Sequence, residues 1–286
     1  IDSIEAFVAD SVKIPDQKVA LVTSGGTCVP LEKHAVRYLE NFSTGRRGAL
    51  SVEQFLTRGY KVIFLYRDGS CFPYLTQMKN NQEKFLKNLI VGRNGRWVIL
   101  IMKMSFTEQQ STTTISRNLS KNIKSTSHHF LRLKFMTLQE YLRKLRLVCL
   151  ALQPLHKRAA VYLAAAVSDF YVPDDKLPLH KIQSSESLAL TLERTPKMLG
   201  HVAQQWAFNA FVVSFKLETD ENILISKCRL ALSNYGHQVV VGNLLETRYN
   251  NVIIVTSSSV VNVNATSENI EIKLISQLYL MHEQFM

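Results

Sequence analysis

Two glycine-bearing turns, Leu-Val-Thr-Ser-Gly-Gly-Thr at 21–27 and Asn-Phe-Ser-Thr-Gly-Arg-Arg-Gly at 41–48, constrain the fold of this chain more than any other feature. The first closes an apolar run at Lys18–Thr23. The second opens a stretch in which Ala49, Val52, Phe55 and Leu56 form one helical stripe, ended by Gly59, with Ser43 or Thr44 expected as the cap. A further apolar run, Lys61–Tyr66, follows. Strand, helix and strand in this order need a right-handed crossover and a parallel sheet. The helix start then aims free amides and a positive dipole end at an anion, so a phosphate-bearing ligand is expected.

The remaining sequence continues the alternation. Thr137 with Glu140 makes a capping box for a helix to about Gln153, before an apolar strand at Ala159–Ala165. Residues 171–194 carry Pro173, Pro178 and alternating Leu188, Leu190 and Leu192, which predicts a projecting flap or hairpin. Thr195-Pro196 is expected to open a helix. A strand at Ala210–Lys216, a helix from Asp220 to Tyr235 stopped by Gly236, strands at Gln238–Val241 and Val252–Thr256, and a final helix at Ser267–Phe285 complete the pattern. At 286 residues and 46% apolar, the chain can bury one large core. The expectation is a single Rossmann-like α/β domain over 1–286, doubly wound on a mainly parallel sheet.

The formal charge of +11 is concentrated in one place. Residues 84–158 hold 15 Lys or Arg against 2 Asp or Glu, so the rest of the chain is close to neutral. A basic, low-complexity insertion is expected at about 84–135. Its Ser105–Ser127 stretch is rich in Ser, Thr and Asn without apolar period, and it lacks the interleaved aromatics of a single-strand platform, so nucleic acid is not an expected partner. A solvated or partner-docking loop is the better reading. No run of about 18 apolar residues is present to span a membrane, and residues 1–10 lack the order of a signal peptide. A cytoplasmic location, with the nucleus also open to it, is expected. Cys28, Cys71, Cys149 and Cys228 show neither CxxC nor metal spacing, so no protein metal site is expected.

Ligands of an open α/β sheet bind beyond the carboxyl ends of its strands. Those ends carry Ser24-Gly25-Gly26, Ser168-Asp169, Lys216-Leu217-Glu218 and Asn243. A nicotinamide-dependent oxidoreductase is one reading of such a sheet. GxGxxG is absent, and Tyr66-Arg67 stand where a ribose-binding acid belongs, with Asp68 two residues beyond the strand. A nucleotide-binding regulatory subunit is another. Arg46 and Arg47 read equally as a phosphate clamp or as solubilising charge. Asn41 can donate to an oxyanion without protonating it, or simply form a turn. Lys181, on the flap, is either a mobile cation over a reacting phosphoryl group or an inert surface lysine.

Six ordered strings, LVTSGGTCVPLE, VRYLENFSTGRRG, YLAAAVSDFYVP, HKIQSS, SFKLETD and HQVVVGNLLETR, resemble the eukaryotic phosphopantothenoylcysteine synthetases, ligases of coenzyme A biosynthesis. The resemblance spans about Lys18–Tyr74 and Leu138–Thr256. It implies a homodimeric amide ligase that uses ATP with Mg²⁺ to join 4′-phosphopantothenate to L-cysteine through an acyl-adenylate. Carried over by motif, Gly25, Ser43, Gly45, Gly48, Phe215 and Asn243 surround ATP. Asn41 holds the activated acyl group and Lys181 steadies charge at the α-phosphate. Ala165, Ala166 and Asp169 line the pantothenoyl arm, and Arg37 reaches the substrate phosphate from the neighbouring subunit. Cys28 departs from the basic residue expected in many relatives. No role for the insertion follows from its residues: docking of other enzymes of the pathway and no role at all both stay open.

Overall fold

The computed structural model describes residues 2–76, 89–91, 97–99, 128–184, 187–265 and 269–286. All of Ser105–Ser127, and Ser267 and Glu268 at the start of the expected final helix, lie outside these residues. Strands β1 (Val19–Ser24), β4 (Lys61–Arg67), β7 (Phe130–Phe135), β8 (Ala159–Leu163), β11 (Phe211–Glu218), β12 (Val239–Leu244), β13 (Asn251–Val255) and β14 (Val260–Asn264) form one sheet. Their order is β14-β13-β12-β11-β8-β1-β4-β7, parallel from β12 through β7 and antiparallel at β13 and β14. Small antiparallel pairs join β2 (Cys28–Pro30) to β3 (Tyr38–Glu40), β5 (Leu89–Val91) to β6 (Trp97–Ile99), and β9 (Phe170–Tyr171) to β10 (Glu193–Arg194).

Alternation along β1 explains why helices cover both faces. Ala20 and Val22 pack with Ala49, Val52 and Phe55 of α2 (Arg46–Thr57) and Leu274 and Leu278 of the C-terminal helix Ile270–Phe285, here α6. Val19 and Leu21 face the other way, toward Ile4 and Val8 of α1 (Asp2–Val12) and Tyr141, Leu145 and Val148 of α3 (Leu138–Ala151). Helix α5 (Glu221–Tyr235) covers β12 through Leu224, Cys228 and Leu232. All four cysteines are buried and free.

Three expectations need correction. The insertion cannot extend to 135, because Phe130–Phe135 pairs in parallel with β4 and completes the sheet. The flap is a paired hairpin only at its base, Phe170–Tyr171 with Glu193–Arg194. Leu188 and Leu190 are exposed outside any strand, and only Leu192 packs inward. Pro196 does not start a helix; a single turn, α4 (Leu199–His201), begins three residues later and widens into a π-turn at Val202–Trp206.

Two buried histidines make stability pH-dependent. His282 of α6 donates through Nε2 to the Lys157 carbonyl and accepts at Nδ1 from Tyr60 Oη, both at 2.7 Å. His237, beyond α5, lies 2.8 Å from Ser214 Oγ. Burial pushes both imidazoles down to about 4. Between about pH 6.5 and 4 the unfolded chain therefore binds protons that the folded chain refuses. The stabilisation is complete above that window and is lost as pH falls through it, by about 1.4 kcal/mol per unit for each ring. Urea midpoints are expected to drop steeply from pH 6.5 to 4.5, and less steeply in His282→Gln; parallel profiles would contradict this.

Candidate active site

The switch point of the sheet lies between β1 and β8, where the chain leaves in opposite directions, and there a cleft is expected. Pairing of β1 with β8 continues past both strands: Ala166 donates to the Gly25 carbonyl at 2.8 Å, Thr27 to the Ala166 carbonyl at 3.0 Å, and Ser168 to Thr27 Oγ1 at 2.9 Å. Asn41, directly after β3, closes this junction. Its amide donates to the Thr27 carbonyl at 3.3 Å and its Nδ2 to the Val167 carbonyl at 3.1 Å. A side-chain amide carries two N–H groups, so one is left for a ligand. The approach is tight enough to require glycine at 26, since a Cβ there would sit 1.7 Å from the Asn41 carbonyl oxygen.

The start of α2 borders the same cleft. Its cap is Gly45, at φ +76°, rather than Ser43 or Thr44; those hydroxyls instead accept from the Gly45 and Arg46 amides at 3.3 and 3.4 Å. No side chain caps the helix and no acid occupies its first turn, so its positive end is left for an external anion. Ser24 Oγ, at the end of β1, donates to the Gly45 carbonyl at 2.9 Å and fixes the helix start to the strand.

The cleft has a volume of about 570 Å³. Asn41, Ser43, Ala165, Ala166, Asp169, Phe215 and Asn243, all singled out by the sequence, line it. Gly25, Gly45 and Gly48 do not; all three are closely packed, and a Cβ on Gly48 would meet Ser24 Oγ at 2.3 Å. Arg37 and Lys181 are also outside the lining. Asn243, nearly buried, donates weakly to the Lys216 and Val241 carbonyls at 3.4 Å, while its Oδ1 has no partner among the described residues.

Sequence reasoning missed several wall residues. Lys197 pairs with Asp169 Oδ1, and Arg248 and Tyr249 complete the wall beside Lys216, which its strand-end position had already marked. Among the described lining residues, five cations, Arg46, Arg47, Lys197, Lys216 and Arg248, accompany one carboxylate, Asp169. Such a lining draws in a polyanion. Arg47 is only 12% exposed, lies over Phe215 at 5.9 Å, and is held by Glu271 at 3.4 Å and by the Arg248 carbonyl. Burial raises the Glu271 carboxyl and the Arg47 charge opposes the rise. Nothing local in the sequence marks Lys197 or reveals its partner.

Fold and cleft together define a doubly wound α/β protein built to hold a phosphate-bearing ligand beside an amide donor. Residues 146–281 match the DNA/pantothenate metabolism flavoprotein C-terminal domain family. The chain is 44% identical over 277 residues to the phosphopantothenate–cysteine ligase of Mus musculus, covering 94% of this chain and 88% of that protein. It is 35% identical over 309 residues to the ligase CAB2 of Saccharomyces cerevisiae, covering 100% and 82%. A solved structure of a Cab2 mutant in complex with phosphopantothenate-cysteine aligns at a TM-score of 0.88 and 35% identity, over 99% of this chain and 92% of that one. A Streptococcus pneumoniae flavoprotein structure, at 17% identity and TM-score 0.62, shares the fold. The chain belongs to the phosphopantothenate–cysteine ligase family.

Proposed function

We propose that the cleft activates 4′-phosphopantothenate with ATP and passes the acyl group to L-cysteine, a step of coenzyme A biosynthesis. A carboxylate oxygen of phosphopantothenate attacks the α-phosphorus and pyrophosphate leaves. The cysteine amine then attacks the acyl carbon, and AMP departs with that carboxylate oxygen. The observation that carries this reading is Asn41, with one N–H committed to Val167 and one free, placed between the uncapped start of α2 and the Ala165–Ala166 wall.

The positive end of α2, with Ser43, Arg46 and Arg47, receives the triphosphate, over the close-packed Gly25, Gly45 and Gly48. Phe215 and Asn243 bound the nucleoside, the free Asn243 Oδ1 suiting an amine or hydroxyl donor on it. Ala165, Ala166 and Asp169 take the pantothenoyl arm, and Lys181 offsets charge at the α-phosphate. Mg²⁺ fits as an ion carried by the phosphates, because Asp169 is the sole carboxylate in the lining and no cage of three or more acidic, His or Cys ligands exists among the described residues. It would neutralise phosphate charge. A homodimer is supported by Arg37, which lies outside its own cleft, and by neighbouring Val36, Phe42 and Leu179, which expose apolar side chains. We place the enzyme in the cytoplasm.

The test is product identification. Sustained release of AMP and pyrophosphate should require ATP, phosphopantothenate and cysteine together, and ADP with phosphate would refute the adenylate.

A further inference from the structure

Glu32 is 0% exposed, yet it is a carboxylate in the loop between β2 and β3 with no place in the scheme above. Four donors converge on it. Its Oε2 accepts from the Val36 and Arg37 amides at 3.1 and 3.0 Å; its Oε1 accepts from Arg37 Nη1 at 2.8 Å and from the Ile182 amide at 3.4 Å. Burial alone would raise this carboxyl, but those hydrogen bonds overturn it and hold the group down at about 2. A buried carboxylate this fully satisfied is charged at any working pH and tolerates no other side chain of its shape.

What Glu32 holds is the flap. Arg37 Nη1 also donates to the Ile182 carbonyl at 3.1 Å, so the two residues grip both polar groups of one flap peptide position. Lys33 and His34 donate to the Pro178 and Leu179 carbonyls at 2.9 and 3.1 Å, and His34 stacks on His180. Leu31 and Leu39 pack with Val172, Leu177, Ile182 and Leu192 beneath. Ile182 follows Lys181 directly, and β3, on the other side of the loop, runs straight into Asn41.

We propose that Glu32 is a positioning residue, a buried carboxylate that fixes the Lys181-bearing flap to the hairpin presenting Asn41 and so sets the two reactive groups relative to each other. The assignment rests on the functional reading given above. Glutamine at 32 keeps the volume but turns an N–H toward donors on one side, which releases either the loop amides or Ile182.

A double-mutant cycle tests it. Glu32→Gln should lower kcat roughly tenfold while the KM for ATP stays within about twofold, as expected when a transition-state contact is mispositioned. In a Lys181→Ala background the same substitution should cost less than about twofold, because its effect has already been removed. Additive losses, with Lys181→Ala itself impaired, overturn the assignment alone. Full activity of Lys181→Ala overturns the role of Lys181 and the assignment together. Should Glu32→Gln not fold, hydrogen exchange in the unaltered protein decides: the Ile182 amide is expected to exchange at least about 100-fold more slowly than that of Gln183. Equal rates overturn the proposal.

Discussion

Asn41→Ala is expected to lower kcat by about 10²- to 10³-fold, the usual cost of removing one preorganised oxyanion donor. The KM for ATP should change little, because the lost contact belongs to the activated acyl group and not to the nucleotide. Folding should survive: the substitution strands only the half-buried Val167 carbonyl, worth about 1 kcal/mol. Asn41→Asp should be at least as damaging. It replaces both N–H groups by a charge that repels the Val167 carbonyl and the phosphates alike. Normal turnover by Asn41→Ala would remove this residue from the chemistry.

Gly26→Ala is expected to act on the same residue through its backbone. The added methyl has no room, since it would be placed 1.7 Å from the Asn41 carbonyl oxygen and 2.9 Å from its carbon. These are backbone atoms tied to Thr27, and they cannot rotate away as a flexible side chain could. Overpacking of this kind costs roughly 1–3 kcal/mol, or about 2–12 °C in Tm for a chain of this size. Activity should fall by about 10²-fold even where the protein remains folded, because the displaced segment carries Asn41. Gly200→Ala supplies the contrast. Its methyl would find Tyr235 at 3.4 Å, an ordinary contact within a helical turn, so melting temperature and turnover should both stay near those of the parent. Equal behaviour of the two variants would show that the approach at Gly26 is not tight.

The parallel core was legible because its strands are short apolar runs, buried on both faces, separated by helices with caps. Thr137 illustrates it: its side chain accepts from the Glu140 amide at 3.2 Å, as the capping box requires. The edges were not legible. In β7 the sequence Phe-Leu-Arg-Leu-Lys-Phe mixes basic residues into the strand and continues a basic segment, so composition hid it. Leu188, Leu190 and Leu192 alternate like a strand, yet among the described residues no strand pairs with the first two, and periodicity cannot report a missing partner.

The site divided in the same way. The glycines announced a close approach because only glycine permits one, and Asn41 stood out as an uncharged amide beside an anion-binding turn. Lys197 and Glu32 carry no such local mark. Lys197 acquires meaning from Asp169, 28 residues away, and Glu32 from Ile182, 150 residues away; only the fold brings these groups together.

The central claim is that the carboxylate of phosphopantothenate is activated as an acyl-adenylate at the Asn41 junction. It is tested most directly by running the three-substrate assay with phosphopantothenate carrying ¹⁸O in its carboxylate and weighing the products. The account predicts one ¹⁸O in AMP and none in pyrophosphate. Label in inorganic phosphate, released with ADP, would contradict it.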